Sequence, residues 1–174
     1  MAIWTIDKAH SSVGFKVKHL VISTVSGKFD SFEGKLEGDP QDLVNAKISF
    51  TADIDSISTG NEQRDGHLKS ADFFDAGNHP KLTFTSTGIE QAGDNEYKVK
   101  GDLSIRGTVK PITLNVEFGG IHNDLYGQTV AGFEITGKIK RLDYGLTWNA
   151  VTEAGGVVVG DEVRLIIDAE LVKS

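Results

Sequence analysis

Five histidines are the residues of this chain whose chemistry could hold a metal ion. They are His10, His19, His67, His79 and His122. No two of them are spaced as His-x-His or His-x-x-x-His, and no carboxylate lies at a usual zinc-ligand spacing from any of them. The chain also has no cysteine, which excludes thiolate metal sites, disulfides and cysteine nucleophiles. The sequence therefore predicts neither a metal site nor a cofactor.

A serine beside a histidine, as in His10-Ser11, raises the question of nucleophilic catalysis. Neighbouring residues of a strand point to opposite faces, so adjacency brings no base to the hydroxyl, and the chain has no Gly-x-Ser-x-Gly elbow. The segment Gly155–Gly160 lacks the Lys-Ser/Thr ending of a phosphate loop and predicts a hairpin. We therefore predict no catalytic residue. An isomerase or hydrolase acting on a small apolar substrate, with His19 or His67 as general base, remains the alternative.

A charged segment could instead contact the polar end of a bound molecule. Arg64, His67 and Lys69, together with His19, are candidates for contact with a polar or pyrophosphate head group, because arginine binds such groups through two parallel hydrogen bonds. The alternative is that Arg64 pairs with Asp65 and fixes the local structure. Both interpretations stay open at this point.

Alternation of apolar and polar residues at period two dominates the rest of the chain and predicts β-strands with one dry face. We predict strands at Trp4–Asp7, Ser12–Leu20, Gly27–Glu37, Asn45–Ile54, Lys81–Ile89, Glu96–Arg106, Lys110–Phe118, Thr129–Lys140 and Arg164–Val172. The exception is Glu62–Asp75, a segment that ends in Phe73 and Phe74 and predicts a short helix or an ordered loop. Arg141 and Asp143 are two residues apart and are predicted to pair along one strand face.

Strand length and order predict how the sheet is arranged. Long antiparallel strands in succession favour a closed barrel over a sandwich, because closure removes exposed edges. We predict an all-β protein, one antiparallel barrel of about eight strands, with residues 1–174 as a single domain. Small residues on the apolar faces favour unfilled space inside, although opposite phenylalanines could fill it; these residues are Ala46, Ala52, Gly101, Gly137 and Ala169.

Charge and hydropathy exclude several classes of partner. The chain has 18 basic and 25 acidic residues and a formal net charge of −7, which disfavours binding to nucleic acid or to an anionic membrane surface. No apolar run is long enough to span a membrane, so we predict no membrane insertion. Without a recognisable export signal, we expect a cytoplasmic protein, or a periplasmic one if a signal has been removed.

An ordered set of residues runs along essentially the full chain: Trp4, Asp7, His10-Ser11, Phe15, His19, Gly27-Lys28-Phe29, Phe32, Gly34, Asp55–Thr59, Arg64–Ser70, Asp72–Asp75, His79-Pro80, Phe84, Gly101–Gly107, Lys110-Pro111, Arg141, Asp143–Gly145 and the last strand from Val163. In order and spacing this set resembles the YceI-like family. No single motif among them is decisive, but their order and spacing are highly specific.

The resemblance implies an extended, lipocalin-like antiparallel barrel whose apolar cavity binds a long lipid, typically a polyisoprenoid. It also implies a homodimer. We therefore expect non-catalytic binding, transport or storage of a long-chain isoprenoid lipid, polyprenyl or isoprenoid-quinone-like. A solid-cored protein that acts through its surface is a further alternative.

Burial indicates which strand faces form the interior. On one face of the predicted strands lie charged residues, which would be costly to bury inside an apolar barrel. These residues are Lys47, Asp53, Lys98, Lys100, Asp102, Glu117, Arg164 and Asp168. The predicted lipid-binding residues are Val17, Ile48, Phe50, Phe73, Phe74, Phe84, Leu103, Ile105, Leu114, Val116, Phe133, Ile135, Leu165 and Ile167. If Gly101 leaves room for the lipid, Gly101→Leu should block uptake and leave stability unchanged.

Overall fold

The computed structural model describes residues 2–20, 22–149 and 159–174. Within these residues the chain forms eleven strands, one α-helix and four 3₁₀ helices. The strands are β1 (Ile3–Ile6), β2 (Ser12–His19), β3 (Ser23–Phe29), β4 (Phe32–Glu37), β5 (Lys47–Asp53), β6 (Ile57–Ser58), β7 (Lys81–Gly93), β8 (Glu96–Ile105), β9 (Thr108–Asn123), β10 (Thr129–Lys140) and β11 (Val159–Lys173). The α-helix is α1 (Glu62–Lys69), and the 3₁₀ helices are Lys8–His10, Pro40–Asn45, Ile54–Ser56 and Arg141–Tyr144.

Eight of these strands close into an antiparallel barrel in the order β1, β4, β5, β7, β8, β9, β10, β11. The ring closes because the C-terminal part of β11 returns to β1, with Ile6 opposite Leu171 and Trp4 opposite Lys173. The earlier part of β11 pairs with β2, which continues the wall through β3 to β6. The prediction of an all-β antiparallel barrel of about eight strands with a short helical insertion is confirmed.

Strand β8 shows why the sequence folds this way. Tyr97, Val99, Leu103 and Ile105 are buried, whereas the lysines and the aspartate between them are exposed. Burying a side chain of this size contributes about 1.5–3 kcal/mol, so a register that turned this face outward would be strongly disfavoured. The eight charged positions predicted to face outward are all exposed except Asp53, which is half-buried.

Two elements close the ends of the wall formed by β5. Before β5, the 3₁₀ helix Pro40–Asn45 inserts Leu43, which is fully buried, and the Asp39 carboxylate caps it by accepting from the backbone N–H of Gln41. After β5, helix α1 begins at Asn61, whose side chain accepts from the backbone N–H of Arg64. Helix α1 has no buried residue, so it lies at the surface of the protein.

The predicted strand Gly27–Glu37 is wrong, because two strands occupy it. Strand β3 pairs with β2 and β6, whereas β4 pairs with β1 and β5. The chain changes partners at Asp30 and Ser31, where the backbone groups bond to Ser56 and Asp53 instead. The hairpin predicted at Gly155–Gly160 lies mainly outside the described residues.

The predicted Arg141–Asp143 pair is also wrong. Arg141 starts a 3₁₀ helix, is only 3% exposed, and donates to the backbone carbonyls of Leu146, Trp148, Val159 and Gly160. Burial lowers the pKa of its guanidinium. Arg141 therefore holds together the two described ends of the connection between β10 and β11.

Candidate functional site

The barrel encloses a cavity of about 150 Å³, which we call the barrel cavity. Its wall is almost entirely aliphatic and aromatic, and the two polar residues that border it, Lys35 and Ser49, are exposed to solvent. Among the described residues, no histidine, aspartate or glutamate lines this cavity. Its chemistry is therefore that of an apolar container.

A second space of about 410 Å³ lies where β2 and β3 meet α1 and Trp148, and we call it the mouth pocket. Its lining mixes apolar and basic side chains: Phe15, Val17, Lys18, His19, Val25, Thr59, Asn61, Gln63, Arg64, His67, Leu68, Phe73, Trp148 and Val159. The mouth pocket can therefore contact both the apolar and the polar part of a ligand.

The residues predicted to bind lipid divide between the two spaces. On the wall of the barrel cavity lie Ile48, Phe50, Phe84, Leu103, Ile105, Leu114, Val116, Phe133, Ile135, Leu165 and Ile167. Val17 and Phe73 line the mouth pocket, as do the head-group candidates His19, Arg64 and His67. Phe74 and Lys69 line neither space; Phe74 packs edge-on against Phe29, with ring centroids 6.4 Å apart. Lipid contact by these residues stays a prediction.

Phe15 is the residue that borders both spaces. Its ring lies over its cross-strand partner Gly27, where an added Cβ would be 2.3 Å from the Phe15 Cζ. The absence of a side chain at Gly27 thus gives the ring its position, and Phe29 packs against it with centroids 5.7 Å apart. The prediction omitted Phe15, although the period-two pattern that placed Val17 inside applies equally to it.

An aromatic cluster covers part of the mouth pocket. The His67 ring meets Trp148 at 4.7 Å and Phe73 at 5.1 Å, both edge-on, and its Nε2 lies 2.9 Å from the Asp72 carboxylate. The carbonyl of Trp148 accepts from Arg141 at 2.9 Å, so the buried arginine fixes the backbone of this residue. Trp148 was not predicted as a site residue either, because it lies outside every strand or helix pattern in the sequence.

Arg64 and Asp65 both hold Thr59, and among the described residues they form no ion pair with each other. Arg64 donates from Nε to the Thr59 hydroxyl and from Nη2 to the Thr59 carbonyl, each at 2.7 Å. Asp65 accepts from the Thr59 N–H at 2.9 Å and from its hydroxyl at 2.6 Å. The Arg64–Asp65 pair predicted as the alternative is therefore wrong, because each of the two side chains bonds to Thr59 instead.

Most of the small inward residues do not leave free space. A Cβ on Gly101 would lie 2.4 Å from Cζ of Phe84 and 2.5 Å from the Thr85 carbonyl oxygen, and one on Gly137 would lie 2.6 Å from a methyl of Leu114. Of the five small residues, Ala169 alone borders the barrel cavity. The expectation that Gly101→Leu leaves stability unchanged is therefore wrong, because neighbouring side chains already fill this position.

Asp7, His10 and Glu170 form the group of side chains in the described residues that could hold a metal ion, with ligand atoms within 4.8 Å of one another. No sequence pattern indicates this group, because Glu170 is brought next to Asp7 only by the pairing of its backbone carbonyl with the Asp7 N–H at 2.8 Å. The His10 Nδ1 lies 2.7 Å from the Asp7 carboxylate. This hydrogen bond raises the pKa of His10 and lowers that of Asp7.

An eight-stranded antiparallel barrel with an apolar interior and a partly covered mouth defines a lipocalin-like β-barrel protein. The YceI-like domain matches residues 4–171, and the chain belongs to this family. UPF0312 proteins of Staphylococcus aureus strain MSSA476 and of Staphylococcus epidermidis are each 42% identical over 171 residues, which cover 98% of this chain and 97% of each relative.

Solved structures share the fold. BcnA of Burkholderia cenocepacia superposes with a TM-score of 0.83 at 25% identity, covering 95% of this chain and 98% of BcnA. The YceI protein of Campylobacter jejuni gives 0.76 at 36% identity, covering 97% and 96%. A polyisoprenoid binding domain from Saccharophagus degradans gives 0.68 at 18% identity and 98% coverage of both chains. Among the described residues, no helix is long and apolar enough to cross a membrane.

Proposed function

We propose that this protein binds a long-chain isoprenoid lipid in the barrel cavity and carries or stores it without making or breaking a bond. The observation that carries the proposal is the almost entirely apolar wall of the cavity in the middle of the barrel. Membership of the YceI-like family and the shared fold with a polyisoprenoid binding domain support it.

Apolar burial alone is sufficient for tight binding. A ligand of this size gains about 0.3 kcal/mol per heavy atom, so a chain of about forty carbons would gain on the order of 12 kcal/mol, which corresponds to a Kd of about 1 nM. Polar contacts would therefore set the orientation and the choice of ligand rather than the affinity.

The size of the barrel cavity limits how such a chain can fit. A cavity of about 150 Å³ has room for a molecule the size of benzene. A long chain must therefore displace wall side chains or continue past Phe15 into the mouth pocket, which adds about 410 Å³. Several wall residues are only half-buried, among them Ile135, Leu165 and Ile167, so the wall has space in which to rearrange.

The alternatives receive less support from the site. His19 and His67, the candidate bases of an enzyme, line the mouth pocket and not the barrel cavity. Burial raises the pKa of Tyr144 to about 12, so its hydroxyl stays protonated at neutral pH and is not available as a base. An interaction protein with a solid core would not need an enclosed apolar cavity.

Neighbouring isoleucines on β11 provide the test. Ile167 lines the barrel cavity, whereas Ile166, the residue before it, points to the other face of the strand and does not line the cavity. In lipid-stripped protein, Ile167→Trp should lower uptake of geranylgeraniol at least tenfold, because the indole occupies ligand space. Ile166→Trp should bind as the wild type does. Uptake that is equal in all three proteins, or absent from the wild type, would contradict the proposal.

A further inference from the structure

We infer that Leu43 closes the far end of the barrel cavity and thereby sets how long a lipid chain the protein holds. This inference rests on the proposed function and adds to it a residue that selects the ligand by chain length. It follows from the place of Leu43 along the barrel, from the hydrogen bonds that hold it there and from the space behind it.

The mouth pocket and Leu43 lie at opposite ends of the barrel. Strand β11 runs from Val159, which lines the mouth pocket, to Lys173, which lies beside β1. Strand β1 also pairs with the end of β4, and Leu43 lies in the connection from β4 to β5. A chain that enters from the mouth pocket past Phe15 therefore reaches Leu43 last.

The side chain of Leu43 forms part of the cavity wall at this far end. It is fully buried and lines the barrel cavity. The 3₁₀ helix Pro40–Asn45 that carries it is held by hydrogen bonds in which this side chain takes no part. Both carboxylate oxygens of Asp42 accept from the Asn45 amide at 3.0 Å, and the Leu43 carbonyl accepts from the N–H of Ala46 at 3.0 Å. A change of the Leu43 side chain therefore leaves these hydrogen bonds in place.

The barrel wall is thin beside Leu43. Strands β5 and β7 separate here, because their pairing ends at Ser49 opposite Thr85. A space of about 370 Å³, which we call the seam pocket, lies at this point and is lined by residues 44–49. Ile48 and Ser49 border both the seam pocket and the barrel cavity. Leu43 thus ends the cavity at a place where open space lies close beyond it.

This position gives Leu43 an effect on long chains and not on short ones. A chain that ends before it reaches Leu43 gains nothing from a smaller side chain there. A chain that fills the interior can extend further, and each additional CH₂ group that it buries strengthens binding about fourfold. Leu43→Ala removes an isopropyl group, which frees space for at least one such CH₂ group on the way to the seam pocket.

Competition between prenols of different length tests the role of Leu43. We would incubate lipid-stripped protein with phosphatidylcholine vesicles that contain farnesol, geranylgeraniol and solanesol in equal amounts, and quantify the bound prenols by mass spectrometry. In Leu43→Ala the ratio of bound solanesol to bound farnesol should rise about fourfold or more above that of the wild type. The matched control Leu103→Ala changes another buried leucine of the cavity wall, in strand β8, and should leave this ratio unchanged.

A milder variant keeps the test valid if Leu43→Ala does not fold. Leu43→Val removes a single methylene and should raise the same ratio by a smaller factor, with circular dichroism to confirm that each variant is folded. An unchanged ratio in the folded Leu43 variants, or an equal rise in Leu103→Ala, would overturn the inference and leave the proposed function intact. A wild type that takes up none of the three prenols would refute the proposed function itself.

Discussion

At the scale of single residues, the side chain of a neighbour decides whether a small residue leaves space. Period two placed Gly101 correctly on the buried face of β8. It could not show that the Phe84 ring on the adjacent strand covers this glycine. The two are diagonal neighbours across β7 and β8, and the rotamer of one determines the free volume at the other. Sequence patterning therefore predicts the face of a residue better than the volume around it.

Gly101→Leu should accordingly destabilise the fold. The new side chain would overlap the Phe84 ring and the Thr85 backbone oxygen, and we expect an overpacking cost of about 3 kcal/mol or more. Chemical denaturation of lipid-stripped protein measures this loss of stability. Gly88→Leu on β7 is the control, because nothing lies within 4 Å of its Cβ position; equal stability of the two variants would contradict the packing described here.

The Asp7–His10 pair predicts a pH dependence of stability. Its hydrogen bond raises the pKa of His10 above the ordinary 6.5 and lowers that of Asp7 below the ordinary 3.8. The contribution of His10 to the stability of the fold is complete below about pH 6.5 and is lost as the pH rises through its raised pKa. The contribution of Asp7 to stability is lost as the pH falls through its lowered pKa. The pair therefore stabilises most between these limits.

Chemical denaturation at pH 5.5 and pH 8.5 tests whether the Asp7–His10 pair stabilises the fold in this pH-dependent way. The stability difference between wild type and His10→Gln should be larger at pH 5.5 than at pH 8.5. Because other groups titrate in both proteins, only this difference between the two is informative. The same difference at both pH values would show that protonation of His10 contributes nothing to stability.

At the scale of elements, the exchange of strand partners limits what the sequence predicts. The apolar positions change from odd to even numbers across Asp30 and Ser31, but this change does not show that the chain moves there from the β2–β3–β6 wall to the barrel ring. Likewise, the residues next to Arg141 in the sequence do not show that its hydrogen-bond partners are backbone carbonyls up to 19 residues further along the chain. Helix α1 was predictable because its charge pattern and its Asn61 cap are local signals.

Arg141→Met should destabilise the protein and release Trp148. Four backbone carbonyls, one in a buried and three in partly buried hydrogen bonds, lose their donor, and a buried acceptor left without a partner costs about 1–3 kcal/mol. We expect the free energy of unfolding to fall by about 2–4 kcal/mol in total. This is less than the sum over four carbonyls, because local relaxation and water satisfy some of them. Trp148 emission should shift to the red as its contact with His67 weakens.

Two further variants make this measurement specific. Lys140→Met changes the charge at the adjacent exposed position and should leave stability and emission unchanged. Trp148→Phe identifies the emission that remains from Trp4. If Arg141→Met matched the wild type in both stability and emission, the anchoring role of Arg141 would be excluded.

At the scale of the whole molecule, closure of the barrel was predictable and the division of its interior was not. Long antiparallel strands with one apolar face require closure, and the charged outer positions fix which face is inside. The separation of the interior into a barrel cavity and a mouth pocket depends on the Phe15 ring over Gly27. It also depends on Trp148, which Arg141 anchors. Contacts of this kind arise from tertiary packing and leave no period in the sequence.

Mass spectrometry of the organic extract from purified protein tests the central claim most directly. We predict that wild-type protein releases a long-chain isoprenoid lipid in an amount close to one molecule per chain. Ile167→Trp, produced and purified in the same way, should release little of it. A wild-type extract without such a lipid, or equal amounts of it from both proteins, would contradict the account.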